Sequence, residues 1–228
     1  YVLTHASNAI TTLAANTGAV EFIENSGFTV GVVRSTNGIT TNGDLTLGST
    51  GGITLSRAIV SGAGTQTYNA PITLSTQAIS LTSTDKAISF DGSTSTINGA
   101  QALTIDAGAG NITLDGVVGG STRLSSLNLV SSAAIHIAGN ISTTGTQTYD
   151  GPVTLDGDVS LTSVGESFST QYDYSASYQD ITVSGTSITL ELVGAAGGKG
   201  GDDGWVGDST GVSGRYIATL DVTPGTTL

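Results

Sequence analysis

Short triplets of the form apolar-polar-apolar recur along this chain, and they confine it to one kind of secondary structure. Leu45-Thr46-Leu47, Ile53-Thr54-Leu55, Ile72-Thr73-Leu74, Ile79-Ser80-Leu81 and Ile88-Ser89-Phe90 come first. Leu103-Thr104-Ile105, Ile112-Thr113-Leu114, Leu127-Asn128-Leu129, Ile135-His136-Ile137, Val153-Thr154-Leu155 and Val159-Ser160-Leu161 follow. Ile181-Thr182-Val183 and Ile188-Thr189-Leu190 close the series. Period-two alternation puts both aliphatics on one face of a strand and the polar midpoint on the other. The β-branched residues that dominate suit strands, while Gly, Asn, Asp and Ser between the triplets supply turns. No stretch of adequate length shows a 3.6-residue period, so the expected fold is all-β with almost no helix.

The spacing selects among all-β architectures. Sandwich strands carry turn signals every 8–12 residues or so, and the triplets here are short and more densely packed than that. A solenoid needs this density, because each coil contributes two or three short strands. An internal repeat supports it. Gly64-Thr65-Gln66-Thr67-Tyr68-Asn69-Ala70-Pro71-Ile72-Thr73-Leu74 returns as Gly145-Thr146-Gln147-Thr148-Tyr149-Asp150-Gly151-Pro152-Val153-Thr154-Leu155, identical at eight of eleven positions. The offset of 81 residues reads as four coils of roughly 20 residues. Residues 39–163 then make about six coils, stacked about 4.8 Å apart into a rod of roughly 30 Å. Ile, Leu and Val fill its interior, and Thr and Ser face out.

The repeated Gly-Thr-Gln-Thr-Tyr-(Asn/Asp)-x-Pro-(Ile/Val)-Thr-Leu motif resembles repeats in large bacterial exoproteins of the filamentous haemagglutinin type. So does Leu114-Asp115-Gly116-Val117-Val118-Gly119-Gly120-Ser121-Thr122-Arg123-Leu124-Ser125-Ser126-Leu127. Gly27-Phe28-Thr29-Val30-Gly31 with Gly38-Ile39-Thr40-Thr41-Asn42-Gly43 is similar to that family's N-terminal flanking coils. The likeness covers residues 1–165. It implies a right-handed parallel β-helix, exported and displayed at a cell surface or shed as an adhesin, and it carries over no catalytic residue.

Beyond residue 165 the composition changes. Tyr172, Tyr174, Tyr178, Tyr216 and the sole Trp, Trp205, lie there, with the Gly-rich stretch 194–204. Residues 181–183 and 188–193 read as two strands around Ser184-Gly185-Thr186, and 216–222 as a third before the turn Thr223-Pro224-Gly225-Thr226. The order resembles glycine-rich β modules of bacterial surface proteins. The expected organisation is therefore a β-helix domain over 1–165 and a small, incomplete glycine-rich β module over 166–228.

Composition removes several function classes. Thr (37), Ser (28) and Gly (33) make up 98 of 228 residues, so hydroxyls are too common to mark a nucleophile. Eighteen acidic residues against six Lys and Arg give a net charge of −12, and the cations are scattered along the sequence, which argues against a nucleic-acid partner. No apolar run of about 18 residues exists, so no membrane-spanning helix is expected. The absence of Cys excludes a disulfide framework, a thiolate zinc site and a cysteine nucleophile. The chain opens at Tyr1 without an initiator Met or signal-like run, and reads as a piece of a longer or processed polypeptide.

Candidate sites are sparse. Gly197-Gly198-Lys199-Gly200-Gly201-Asp202 is similar to one calcium-binding nonapeptide, but it stands alone and Gly204 falls where an apolar residue belongs. It also lacks the Gly-x-x-x-x-Gly-Lys-(Ser/Thr) pattern of a phosphate loop. Asp156-Gly157-Asp158 offers two carboxylates where a hard cation wants six to eight oxygens or so. His5 and His136 read as surface residues without Ser-His-Asp partners. Asp85, Asp91, Asp106 and Asp115 follow one another at spacings of 6, 15 and 9 residues, which do not match one coil. The threonines Thr46, Thr54, Thr73, Thr104 and Thr113 suggest an ice-binding face, yet a regular Thr-x-Thr rank is missing. Trp205 and Tyr216 are the ligand-binding candidates, as aromatics able to stack on a sugar ring. No catalytic residue, metal or cofactor is expected.

The functional expectation is a secreted or surface-displayed structural and adhesive segment of a bacterial protein, not an enzyme. Its partners would be further copies, other surface-protein chains or glycans. A polysaccharide-binding or polysaccharide-degrading β-helix is the alternative. Residues 1–30 look like further coil sequence and not a polar cap, so the expected assembly is head-to-tail or strand-exchanged.

Overall fold

The structure is a computed structural model, and it describes residues 1–163, 187–193 and 215–221. The chain divides into two compact units, Tyr1–Ser169 and Thr170–Leu228. The described residues of the first, 1–163, form a parallel β-solenoid of about seven turns without helix. Each coil up to Asp150 visits three faces in turn. The first sheet stacks eight strands, from Val2–Leu3 and Val20–Glu24 through Leu45–Ser49, Gln66–Asn69, Ile88–Phe90, Ile112–Leu114 and Ile135–Ile137 to Val153–Leu155. The second runs from Thr12–Leu13 through Phe28–Val30, Ile53–Leu55 and Ile72–Leu74 to Ile97–Asn98. Single bridges at Val118 then carry it to Ile141–Thr143, which pairs with Leu161–Ser163. The third holds seven strands, Ala15–Thr17 to Gln147–Asp150.

The triplets from Leu45 to Ile137 fold as their pattern demands, whereas in Val153-Thr154-Leu155 the valine is exposed and the leucine only partly buried. Leu45, Leu47, Leu55, Leu81, Ile88, Ile112, Ile135 and Ile137 are wholly buried, while the midpoints between them face out. Stacking like on like builds a continuous aliphatic column, to which Tyr68 and Phe90 add stacked rings 4.6 Å apart. One triplet is displaced: the last strand of the second sheet is Leu161–Ser163, two residues beyond the expected start at Val159.

The coil length differs from the expectation. Leu45 pairs with Gln66, Gln66 with Ile88, Ile88 with Ile112 and Ile112 with Ile135, so these coils take 21 to 24 residues. The repeat offset of 81 is therefore not four coils. Gln66–Asn69 lies on the first sheet and Gln147–Asp150 on the third, three turns and two faces later. Corner segments of unequal length account for the longer coils. One of them, between Val30 and Ile39, folds as an antiparallel hairpin, Val32–Val33 with Thr36–Asn37, which the triplet pattern does not announce.

Polar groups inside the corners are satisfied locally. On the third sheet, Thr41, Ser61, Ser83 and Ser131 all point inward. The Thr41 hydroxyl donates to the Gly43 carbonyl (2.9 Å), Ser61 to Gly64 (2.8 Å) and Ser83 to Lys86. The turns themselves approach closely. A Cβ on Gly64 would fall 2.0 Å from the Gly43 carbonyl carbon, so this turn stacks only as glycine on glycine.

In the second unit the described strands are Ser187–Val193 and Arg215–Asp221, an antiparallel pair with Leu192 opposite Tyr216. The expected strand at 181–183 and the Gly-rich stretch 194–204 lie outside the described residues.

Candidate functional site

Trp205 lies outside the described residues. Tyr216 sits in Arg215–Asp221, one position from its start. The calcium-like segment 197–202 also lies outside them.

The aspartates are brought together in pairs, on two different edges. Phe90 is in register with Leu114, so Asp91 and Asp115 follow one coil apart, on the edge between the first and second sheets. Comparing successive acids hides this, because Asp106 intervenes in sequence but lies on the third sheet. Asp85 and Asp106 converge on one turn instead. The Asp85 Oδ1 accepts the Ala109 N–H (2.8 Å) and the Asp106 Oδ1 the Gly108 N–H (3.0 Å).

The Asp85 contact belongs to a wider pattern in which Asx side chains tie a turn to its neighbour in the next coil. Asp44 Oδ1 accepts from the N–H (2.9 Å) and the hydroxyl (3.1 Å) of Thr65. Asn98 Oδ1 accepts from the N–H groups of Ser121 (2.8 Å) and Thr122 (3.3 Å), and Asn140 Oδ1 from Ser160 (2.8 Å). Asp115 Oδ2 reaches the other way, to the Gly92 N–H (2.8 Å). The Thr65 backbone N–H, followed by its hydroxyl, holds the Asp44 carboxyl below its ordinary value. The carboxylates thus satisfy backbone donors that adjacent turns would otherwise leave open.

His136 points out between the buried Ile135 and Ile137, as expected, and its Nδ1 lies 3.2 Å from Asp156 Oδ2. Sequence spacing misses this pair because its members are one coil apart. No hydroxyl hydrogen-bonds to that ring among the described residues. His5 Nδ1 accepts the Ser7 N–H at 3.2 Å.

The outward threonines stand in single file. On the second sheet Thr12, Thr29, Thr54 and Thr73 are in register, one hydroxyl per strand. On the first sheet Thr46, Thr67, Ser89 and Thr113 do the same. Cross-strand pairs of this kind support a sheet. No second column of threonines accompanies either file among the described residues.

A cavity of about 370 Å³ lies at the first coil, lined by residues that include Tyr1, Leu3, Leu13, Ala15, Val20 and Phe22. Among the described residues no cluster of three or more His, Asp and Glu is placed to hold a metal, and no helix is long and apolar enough to cross a membrane. One buried carboxylate oxygen, Oε1 of Glu24, has no hydrogen-bond partner among the described residues; its Oε2 accepts from Ser26 (2.9 Å).

Fold and surface define a β-solenoid in which Asp and Asn side chains such as Asp44, Asp85, Asn98 and Asp115 tie one coil to the next. No family model, curated protein or solved structure matches the chain.

Proposed function

We propose that the chain is an extracellular structural and adhesive segment of a large bacterial surface protein, acting by display and by self-association or attachment. The observation that carries this reading is the use of the polar surface. Outward positions repeat Thr and Ser coil after coil, and Asp44, Asp85, Asn98 and Asp115 each commit one side-chain oxygen to a neighbouring turn. Such a surface suits a stiff spacer better than a site that must hold a reacting group in a dry, enclosed place. Attachment is tested by coating beads with the full chain and scoring binding to cells and to a glycan array. Retention above blank beads supports the reading; blank-level retention, together with a concentration-independent monomer, removes it. Product release from acidic or neutral polysaccharides would replace it with the degrading alternative.

A further inference from the structure

The chain crosses from the second sheet to the third once per coil, through residues 31–38, 56–58, 75–78, 99–101, 119–125 and 144–146. All three arginines of residues 1–163, Arg34, Arg57 and Arg123, fall in these crossings. None of the ten carboxylates of residues 1–163 does. Cations scattered in sequence are therefore gathered in space, along the one edge of the solenoid that has no acid. The sole salt bridge among the described residues is His136–Asp156, so the three guanidiniums have no carboxylate partner there.

The hairpin makes this edge more than a charged line. Arg34 occupies its tip with a left-handed backbone (φ 54°). Val32 and Val33 beside it are 45 % and 39 % exposed. Arg57 follows one coil later, and its Cβ lies 3.2 Å from where a Cβ on Gly38, at the hairpin's base, would be. Its Nη1 donates to the Ser56 carbonyl (2.6 Å), which holds the side chain near the edge. Arginines without carboxylates beside exposed aliphatics match the enrichment of Arg and depletion of acids found at interfaces.

We propose that Val32, Val33, Arg34 and Arg57 form a docking surface for a second copy of this chain, through the edge that carries Asp91 and Asp115. This rests on the self-associating reading above and replaces end-to-end stacking with side-by-side contact. Charge complementarity selects the partner. A chain of net charge −12 repels its own copies over most of its surface, and this edge is where approach is favourable. Arg34 and Arg57 belong to successive coils, and so do Asp91 and Asp115. Two different surfaces meet, so the contact is heterologous and propagates.

Sedimentation of the full chain over a concentration series tests this, with circular dichroism confirming unchanged strand content. Wild type should associate as concentration rises. Arg34→Glu/Arg57→Glu and, separately, Asp91→Lys should each weaken association about tenfold or more. Mixing the two variants should restore a complex, because the intact Asp91 edge of one meets the intact arginine edge of the other, and at the next contact Glu faces Lys. Unchanged association in both variants overturns the edge assignment while leaving self-association standing. A wild-type monomer at every concentration overturns the docking surface itself. Retention on a sulfated glycan that Arg34→Glu/Arg57→Glu abolishes, without self-association, reassigns the edge to a polyanion and also overturns the proposal.

Discussion

Gly64–Leu74 and Gly145–Leu155 share eight of eleven residues and turn the same corner at different places on the solenoid. The first copy leads from the first sheet to the second, the second copy from the third sheet to the first. Their buried polar contacts coincide. In the first, Gln66 Nε2 donates to Ser61 Oγ (3.1 Å) and the Thr82 carbonyl (2.8 Å), and Tyr68 Oη donates to Gln66 Oε1 (2.6 Å). In the second, Gln147 Nε2 donates to Thr143 Oγ1 (3.1 Å) and the Thr162 carbonyl (2.8 Å), and Tyr149 Oη to Gln147 Oε1 (2.7 Å). The corner is therefore specified by its own eleven residues and the strands just before and after it, whichever face it joins. The copies differ where the backbone requires it. A Cβ at Gly151 would lie 1.8 Å from the Ser131 carbonyl oxygen, at φ 144°, whereas Ala70 at the same motif position is buried and carries its Cβ.

The largest expected effect separates the copies by burial. Leu74 is 4 % exposed, while Leu155 is only partly buried. Leu74→Asp places a carboxylate in a dry aliphatic column and should cost about 4 kcal/mol or more. Leu155→Asp should cost clearly less. Urea unfolding midpoints of the two variants check this, and equal losses would show that the second copy is packed as tightly as the first.

Next comes the polar network. Gln66→Leu leaves the Tyr68 hydroxyl and the Thr82 carbonyl unpaired inside the core, a loss of about 2 kcal/mol. Gln147→Leu should lose less, because Tyr149 is only partly buried and water reaches its hydroxyl more readily. If both variants unfold at the same urea concentration, burial does not grade the network.

The alkaline limb gives a third test. Burial raises the Tyr68 phenol well above its ordinary value of 10.0, and burial raises Tyr149 too. A raised folded value means that the unfolded chain gives up the proton first. The stabilisation is complete below the unfolded value of 10.0 and is lost as pH rises from there toward the folded value. Tyr68→Phe should cost about 1 kcal/mol near neutrality, through the hydrogen bond to Gln66, and should flatten the alkaline decline. Melting curves on both sides of the ordinary phenol value check this, and an unchanged slope would assign the decline to other groups.

How much of this is legible beforehand follows from what periodicity encodes. Alternation marks Ile72, Leu74, Ile112 and Leu114 as inward and Thr73 and Thr113 as outward, because that depends only on adjacent residues. Which face a strand joins depends on the summed lengths of all preceding corners. The long corners at 91–96 and 119–125, both between the two copies of the motif, change that sum without disturbing any triplet, as the hairpin at 32–37 does ahead of them. For this reason the repeat offset reads falsely as whole coils, and the pairing of Asp91 with Asp115, of His136 with Asp156 and of Arg34 with Arg57 is invisible in the sequence. Inward Gln66, Ser61 and Glu24 escape for another reason: polar residues at strand ends carry no signal of direction until their partners are known. Trp205 and the Gly-rich stretch lie outside the described residues, and Tyr216 is placed only by its strand.

The smallest expected effect concerns the entry to the motif, where the copies differ by one clamp. Asp44 is in line with Thr65 and binds it through both its N–H and its hydroxyl. At the equivalent place before the second copy stands Ser126, since Leu127 is in register with Gln147. A carboxyl held below its ordinary value of 3.8 stabilises the fold fully above that pH, and the contribution is lost as pH falls through the lower folded value. Asp44→Asn keeps an oxygen acceptor for Thr65 and removes the titration. The variant should therefore melt slightly below wild type near neutrality and level with it in strong acid, because the protonated carboxyl and the amide are then equally neutral acceptors. The group is exposed, so the difference is small, and raising the salt concentration should leave most of it, since a direct hydrogen bond is screened less than a distant charge. A gap between the two proteins that persists unchanged into strong acid would mean that Asp44 acts through its shape alone, and that the first copy's entry is no better clamped than the second's.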